Sequence, residues 1–174
     1  PRVREFMIRF SVLPLASLLM LATLAPAQAQ SARVLGDFRD WSSYAADDGS
    51  GTVCFAMTKP KSTTPTPENY GEAYLYITNR PGEDVVNEFN LVAGYTFQTG
   101  SMAIASVGGQ DFRLFTQNDA AWLDDSAQAA NLAAALRAGS TVTVTGTSAT
   151  GTEIVQSFSL SGATAAQQAI GAEC

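Results

Sequence analysis

The chain has no histidine among its 174 residues, and this absence excludes the commonest kinds of active site. Histidine is the usual general base, the central member of the Ser-His-Asp triad and a standard ligand of zinc and copper. Catalysis would therefore depend on carboxylates, and the adjacent pairs Asp124-Asp125 and Glu83-Asp84 are the candidates. Neighbours along a strand point to opposite faces, and pairs in loops are usually solvated. We predict no catalytic residue, no metal site and no cofactor.

Cysteine is scarce as well, since only Cys54 and Cys174 occur. Cys54 lies between Val53 and Phe55 in an apolar stretch, and there is no histidine to activate its thiol. Two cysteines in an exported chain most often pair with each other. We therefore predict a Cys54–Cys174 disulfide that closes a loop of 120 residues.

The chain has a single long apolar run, from about residue 12 to residue 25. This run follows the basic residues Arg2, Arg4 and Arg9. Because the run contains Pro14 and falls short of the roughly 20 apolar residues that span a bilayer, a membrane anchor is disfavoured. Small residues follow, as signal peptidase requires. The pattern predicts a cleaved signal peptide over residues 1–29 and a periplasmic or secreted mature protein. Cleavage after Ala27-Gln28-Ala29 is our first choice, cleavage after Ala25-Pro26-Ala27 is the second, and Met7 is an alternative start.

Basic residues are few in the predicted mature chain, residues 30–174. Removing three arginines and Glu5 from the ten basic and sixteen acidic residues leaves seven and fifteen, a net charge of −8. Nucleic acids and anionic lipids both need a cationic face, so this balance argues against them as partners. The remaining 145 residues suit one domain with a core of its own.

What the mature chain does contain is a series of strand patterns. Residues 141–145 and 153–160 alternate apolar and polar positions, and a Gly-rich stretch between them predicts a hairpin. Turn residues separate further predicted strands at 40–44, 52–57, 73–79, 86–92, 101–107 and 111–115. Many short strands at fairly even spacing predict a mainly β protein with an antiparallel β-sandwich.

Two helices interrupt the strands. In residues 126–138, Leu132 and Leu136 are spaced by four, and Gly139 is placed as a C-terminal stop. This predicts a short helix before the last hairpin. A second helix, predicted over residues 163–170, would carry Cys174 back towards Cys54. The stretch 60–67, with three prolines, is predicted as a surface loop.

A set of short segments runs in order across the mature chain. The set includes Gly36-Asp37-Phe38-Arg39-Asp40-Trp41, Val53-Cys54-Phe55-Ala56, Asn79-Arg80-Pro81-Gly82-Glu83, Gly94-Tyr95-Thr96-Phe97, Ala121-Trp122, Leu136-Arg137-Ala138-Gly139-Ser140 and Phe158-Ser159-Leu160-Ser161-Gly162. No single segment is specific, but the collinear set resembles the invasion-associated locus B family.

The resemblance implies an exported envelope protein of Gram-negative bacteria with an immunoglobulin-like β-sandwich, and it does not imply an enzyme. The family name refers to host-cell invasion, a role that does not transfer automatically to every similar protein. Some members carry a cysteine shortly after the tryptophan and another pair in mid-chain. Here Trp41 is followed by Ser42, Ser43, Tyr44 and Ala45, so the bridging pattern of those members does not carry over.

Two kinds of residue suggest binding sites. Trp41 and Trp122 are candidate surface anchors, because tryptophan is enriched at interface hot spots, although packing in the core is an equal alternative. The run Asp47-Asp48-Gly49-Ser50-Gly51 offers oxygens to calcium but lacks the ligand spacing of a helix-loop-helix calcium site, so a tight turn is favoured.

These observations predict a non-enzymatic exported protein that binds an envelope or host protein, with the partner and the oligomeric state left open. A carboxylate-based hydrolase is the alternative from another class, and a structural or stress-protective envelope protein without a ligand is a third. An exposed apolar patch around Trp41 or Trp122 would favour the binding protein, and a polar cleft would favour the enzyme.

Overall fold

The computed structural model describes residues 32–174, so the predicted signal peptide and its cleavage site lie outside the described residues. Within them the chain forms eleven strands and two α-helices. The strands are β1 (Arg33–Phe38), β2 (Trp41–Asp47), β3 (Thr52–Thr58), β4 (Ser62–Thr64), β5 (Tyr74–Arg80), β6 (Val85–Val92), β7 (Met102–Val107), β8 (Gln110–Gln117), β9 (Ala120–Leu123), β10 (Thr141–Thr147) and β11 (Glu153–Ser159). The helices are α1 (Ala129–Ala138) and α2 (Ala163–Glu173).

All eleven strands join one antiparallel sheet in the order β1-β2-β3-β5-β6-β9-β8-β7-β10-β11-β4. The sheet folds over, so that the start of β2 meets the end of β11. Asp40 donates its backbone N–H to the carbonyl oxygen of Ser161 at 3.2 Å, and the indole Nε1 of Trp41 donates to that of Ser159 at 2.9 Å. The mainly β fold of the sandwich type is thereby confirmed.

One core lies inside the folded sheet, and it takes alternate residues from nearly every strand. Cys54, Leu75, Leu91 and Leu114 are fully buried examples, and their sequence neighbours point outward. This period of two is the pattern that predicted most of the strands. Each strand therefore has an inner face in the core and an outer face towards solvent.

Helix α2 packs on the inner face of β1, β2 and β3. Its Ala166 carbonyl oxygen accepts a hydrogen bond at 3.0 Å from the buried hydroxyl of Ser43 on β2. At its end Cys174 forms a disulfide with Cys54 on β3, with the Cα atoms 6.0 Å apart. The predicted disulfide is therefore present, and it fastens the C-terminus to the sheet.

Helix α1 follows a short 3₁₀ turn, Ser126–Gln128, where the side chain of Asp125 accepts a hydrogen bond from the backbone of Ala127. Leu132 and Leu136 are buried, as the spacing of four predicted. The helix ends before Gly139, but Gly139 does not adopt the left-handed backbone conformation of a usual glycine C-cap. Gly139 has extended backbone, and a Cβ atom there would lie 2.7 Å from a methyl group of Val107. The glycine allows close packing.

Three strands, β1, β4 and β9, were not predicted from the sequence. β1 contains a bulge between Val34 and Gly36, which breaks the alternation that would have revealed it. β9 has four residues, and β4 has three in the stretch predicted as a loop, where they pair with β11. No helix within residues 32–174 has the length and hydrophobicity to cross a bilayer.

Candidate binding surface

Trp122 lies on the outer face of β9 and forms part of an aromatic pair. Its ring stacks on Phe115 of β8, with ring centroids 5.3 Å apart and planes 19° apart. The two residues are direct partners in the register of the sheet. Phe115 is 40% exposed, a large value for a phenylalanine, so this pair presents apolar surface to solvent.

A second aromatic group lies on the same outer face across β2, β3 and β5. Tyr44 and Phe55 are cross-strand partners whose rings stack at 5.2 Å with planes 21° apart. Phe55 meets Tyr76 edge-on at 6.1 Å, and Tyr76 meets Tyr74 at 5.9 Å. Such cross-strand aromatic pairs each contribute roughly 0.2–1 kcal/mol to a sheet.

Asn90 of β6 joins the two groups. It is the direct partner of Tyr76 on one side and of Trp122 on the other, so the backbone positions that carry these two rings are about 10 Å apart, two strand spacings. The Asn90 amide donates to the carbonyl oxygen of Ala121 at 3.2 Å. We call this continuous surface the aromatic face. It comprises Tyr44, Phe55, Met57, Tyr74, Tyr76, Asn90, Val92, Met102, Phe115 and Trp122.

Two ring pairs of the aromatic face cover each other. The stacked cross-strand pairs, Tyr44 with Phe55 and Phe115 with Trp122, have nearly parallel planes and turn their ring faces to each other. Those ring faces are therefore closed to a partner. This arrangement suits packing against protein side chains better than stacking of a flat ring such as a nucleobase.

Ion pairs border the aromatic face. Lys59 Nζ lies 5.1 Å from the centre of the Tyr74 ring and 2.6 Å from a carboxylate oxygen of Glu72, to which the Tyr74 hydroxyl also donates at 2.7 Å. These hydrogen bonds raise the pKa of Lys59 and lower that of Glu72. The Nη2 atom of Arg80 donates to both carboxylate oxygens of Glu88, each at 2.8 Å. An uncharged centre with a charged rim is the usual anatomy of a protein interface.

Two acidic concavities lie at opposite ends of β8 and β9, the strands that carry Phe115 and Trp122, and no residue of the aromatic face lines either of them. The acidic hollow, about 480 Å³, lies beside the start of β8 and the end of β9, and it contains Asp111, Asp124 and Asp125 around Arg113. The acidic groove, about 900 Å³, lies at the opposite end of these strands. Its carboxylates belong to Glu68, Glu72 and Asp119.

Trp41, the other predicted anchor, is not on this surface. It is 1% exposed and belongs to the core, where its indole N–H is hydrogen-bonded to Ser159. Of the two alternatives for Trp41 the structure therefore shows packing in the core, and the expectation of a surface anchor does not hold for this residue. Its place at the junction of β2 and β11 explains the burial.

The candidate carboxylates have structural partners. Glu83 pairs with Arg80 at 3.2 Å, and Asp124 lies 4.0 Å from Arg113. In the 47–51 segment, Asp47 accepts the backbone N–H of Gly49 at 2.8 Å, and hydrogen bonds from Ser50 hold the pKa of Asp48 below its usual value. These bonds build a tight turn. Within residues 32–174 no three acidic or cysteine side chains come together as a metal site.

Most residues of the aromatic face were not predicted from the sequence. Segments such as Tyr74-Leu75-Tyr76-Ile77 are apolar at every position, so alternation alone does not tell which side lies in the core. The signal in the sequence that could have revealed the aromatic face was the unbroken apolar run itself. A strand with two apolar faces needs cover on both sides.

The family model described as "Invasion associated locus B (IalB) protein" matches residues 41–171. The chain belongs to the invasion-associated locus B family. The resemblance read from the sequence is thus confirmed, and the match begins at Trp41 and contains every residue of the aromatic face.

The fold is also similar to that of a solved family member, described as the crystal structure of invasion associated protein b from Bartonella henselae. The likeness has a TM-score of 0.54 at 16% identity, and it covers 81% of this chain and 97% of the other. At that identity it shows the shared fold. No curated protein sequence matches this chain significantly.

Proposed function

We propose that this protein is an exported, non-enzymatic binding protein that acts in the cell envelope or at a host interface, and that it binds a partner protein through the aromatic face. The observation that carries the proposal is a contiguous apolar surface around Trp122, on the side of the sheet that faces away from the core. Contiguous apolar surface of this kind marks interaction sites in proteins.

Three further features support the proposal. The chain lacks histidine, and its paired carboxylates are engaged with Arg80 and Arg113. Tyrosine and tryptophan, which the aromatic face presents, are residues that protein interfaces use often. The signal pattern and the disulfide are typical of an oxidising compartment outside the cytoplasm.

Site-specific photocrosslinking in the producing cells tests the binding. A photoreactive amino acid replaces Phe115 on the aromatic face or, as a control, Val155, which points outward on β11 three strands away. We expect a defined protein adduct from position 115 that is absent from position 155 and disappears when Trp122→Ser is added. Equal adducts from both positions, or none from position 115, would contradict the proposed surface.

Export has its own test, the intact mass of the protein recovered from the periplasm or the medium. We expect a chain that begins at Gln30 and lacks residues 1–29. A protein that keeps residues 1–29 and stays with the cytoplasmic fraction would contradict export without affecting the binding surface.

A further inference from the structure

The charges around the aromatic face restrict the chemistry of what binds there. We propose that the aromatic face binds a basic amphipathic segment of another protein, with apolar side chains against the rings and lysines or arginines in the two acidic concavities. The inference depends on the proposed function and names the kind of partner that this surface accepts.

Most cations of the protein already have a partner within the chain. Of the seven in residues 32–174, five form ion pairs with carboxylates, and Arg137 donates to the side-chain oxygen of Gln167 at 2.8 Å. The five are Arg33, Lys59, Lys61, Arg80 and Arg113. Among the described residues this leaves only Arg39 for an acidic partner.

Carboxylates, in contrast, remain in excess, and they are placed at the borders of the aromatic face. In the acidic hollow Arg113 is the one cation among three aspartates, and Asp124 follows Trp122 by two residues. In the acidic groove no lining residue is basic; Glu72 is paired with Lys59 from outside the groove, whereas Glu68 and Asp119 form no ion pair with the described residues. Glu72 adjoins Tyr74 through a hydrogen bond, and Asp119 directly precedes Ala120, the partner of Val92.

The spacing of the two concavities defines the partner. They lie at opposite ends of β8 and β9, with the Trp122 and Phe115 pair between them. A segment that crosses the face along these strands meets carboxylates, then rings, then carboxylates. Complementary charge at both ends fixes the register of the segment along the strands and speeds association, while the apolar centre supplies most of the affinity.

A second copy of the chain is a poor fit to the same surface. Two mature chains would approach with a net charge of −8 each, and their acidic borders would face each other across the contact. Like charges placed opposite each other across an interface cost several kcal/mol. The same net charge disfavours anionic lipid.

Two synthetic peptides test the inference with the purified mature protein. One has two lysines at each end and leucine and tryptophan in the four positions between them, and the other has glutamate in place of every lysine. We expect the basic peptide to bind at least about tenfold more tightly than the acidic one in low salt, with an affinity that falls as salt is added. Backbone amide shifts should map its contacts to β5, β6, β8 and β9.

Matched variants separate the rings from the charges. Tyr76→Ser with Trp122→Ser should weaken binding of the basic peptide about tenfold or more, and Val155→Ser should leave it unchanged. Asp111→Asn with Asp124→Asn should weaken it about threefold to tenfold, whereas Asp47→Asn with Glu153→Gln, remote from the aromatic face, should not. Circular dichroism of each variant verifies that the fold is intact.

The outcomes distinguish this inference from the proposed function. If the acidic peptide binds as well as the basic one, or if face variants leave binding of the basic peptide unchanged, the inference is overturned. The proposed function still stands if position 115 crosslinks a partner. If sedimentation shows a dimer of the mature protein that Trp122→Ser dissociates, the occupant is a second copy and the inference is overturned as well.

Discussion

At the scale of single residues, Gly162 shows how closely the chain is packed where α2 begins. Its backbone φ is +95°, and a Cβ atom there would lie 1.7 Å from the carbonyl oxygen of Phe38. The residue must therefore be glycine for two reasons, the left-handed backbone and the lack of space.

We predict that Gly162→Ala lowers the free energy of unfolding by about 3 kcal/mol or more, because the β1–β2 turn or the start of α2 must move. Gly100→Ala is the matched control, since Gly100 has a φ of +75° but open space around it. It should cost only about 1 kcal/mol. Urea unfolding measures both, and equal losses would contradict the close contact at Gly162.

Tyr95 is a residue whose hydroxyl group works against the fold. The side chain is 8% exposed, and its hydroxyl finds no hydrogen-bond partner among the described residues. Burial raises the pKa of Tyr95 far above its ordinary value. Because the folded state holds the phenol proton more tightly than the unfolded state, titration of Tyr95 leaves stability unchanged below its unfolded pKa, near pH 10, and lowers stability as the pH rises above it.

We predict that Tyr95→Phe leaves stability at pH 7 unchanged or raises it by up to about 1 kcal/mol, because an unpaired buried hydroxyl is removed. The variant should also lose less stability than the parent between about pH 9 and pH 11. Tyr70→Phe is the control, because the Tyr70 hydroxyl bonds to Thr63 at 2.8 Å and accepts from Gln156 at 3.0 Å. It should destabilise by about 1 kcal/mol. Parallel pH curves for Tyr95→Phe and its parent would refute the prediction.

At the scale of elements, α2 packs on β1, β2 and β3, and its disulfide adds a covalent anchor at its end. Two of its four buried residues are alanines, Ala163 and Ala166, and the others are Gln167 and Ile170. The alanines bury little apolar area, so Ile170 supplies most of the apolar packing of the helix. The Cys54–Cys174 bond restricts the unfolded chain over 120 residues.

We predict that Cys54→Ala with Cys174→Ala lowers the free energy of unfolding by about 4–5 kcal/mol in the chain-entropy model. Amide exchange should accelerate first in α2, because that helix loses its anchor while the strand ladder stays intact. Adding a reductant should bring the parent to the level of the variant and leave the variant unchanged. An unaltered unfolding midpoint, or uniform exchange over the whole chain, would contradict a local anchor.

Elements also show where sequence reasoning succeeds and fails. The β10 and β11 hairpin was predicted because Val142, Val144, Ile154 and Phe158 alternate with polar residues, and the structure pairs the two strands as expected. The bulge in β1 destroys such alternation, so that strand gave no signal. Periodicity reports a buried side only when the other side is polar.

The aromatic face was beyond prediction for the same reason, which applies to the molecule as a whole. The sequence places apolar residues on both sides of β3 and β5, and only the way the sheet folds over decides which side becomes the core. Trp41 lies where the ends of the sheet meet, and Trp122 lies on the outside. The two tryptophans are equivalent in the sequence and differ only in tertiary position.

The whole molecule therefore separates stability from binding on the two sides of one sheet, and β6 offers adjacent residues to test this. Leu91 is fully buried in the core, whereas Val92 lies on the aromatic face. We predict that Leu91→Ala lowers the free energy of unfolding by about 2–5 kcal/mol, because it leaves a cavity. Val92→Ala should cost less than about 1 kcal/mol, since solvent and neighbouring chains can adjust at an outer position.

The complementary measurement uses binding of the basic peptide at a temperature where both variants remain folded. Leu91→Ala should bind as the parent does, and Val92→Ala should bind more weakly by a factor of about two to five, since it removes part of the apolar contact area. If Val92→Ala proves as destabilising as Leu91→Ala, the outer side chains serve the fold, and the aromatic face loses its distinction from the core. A loss of binding with stability retained is what a sheet with one structural side and one binding side requires.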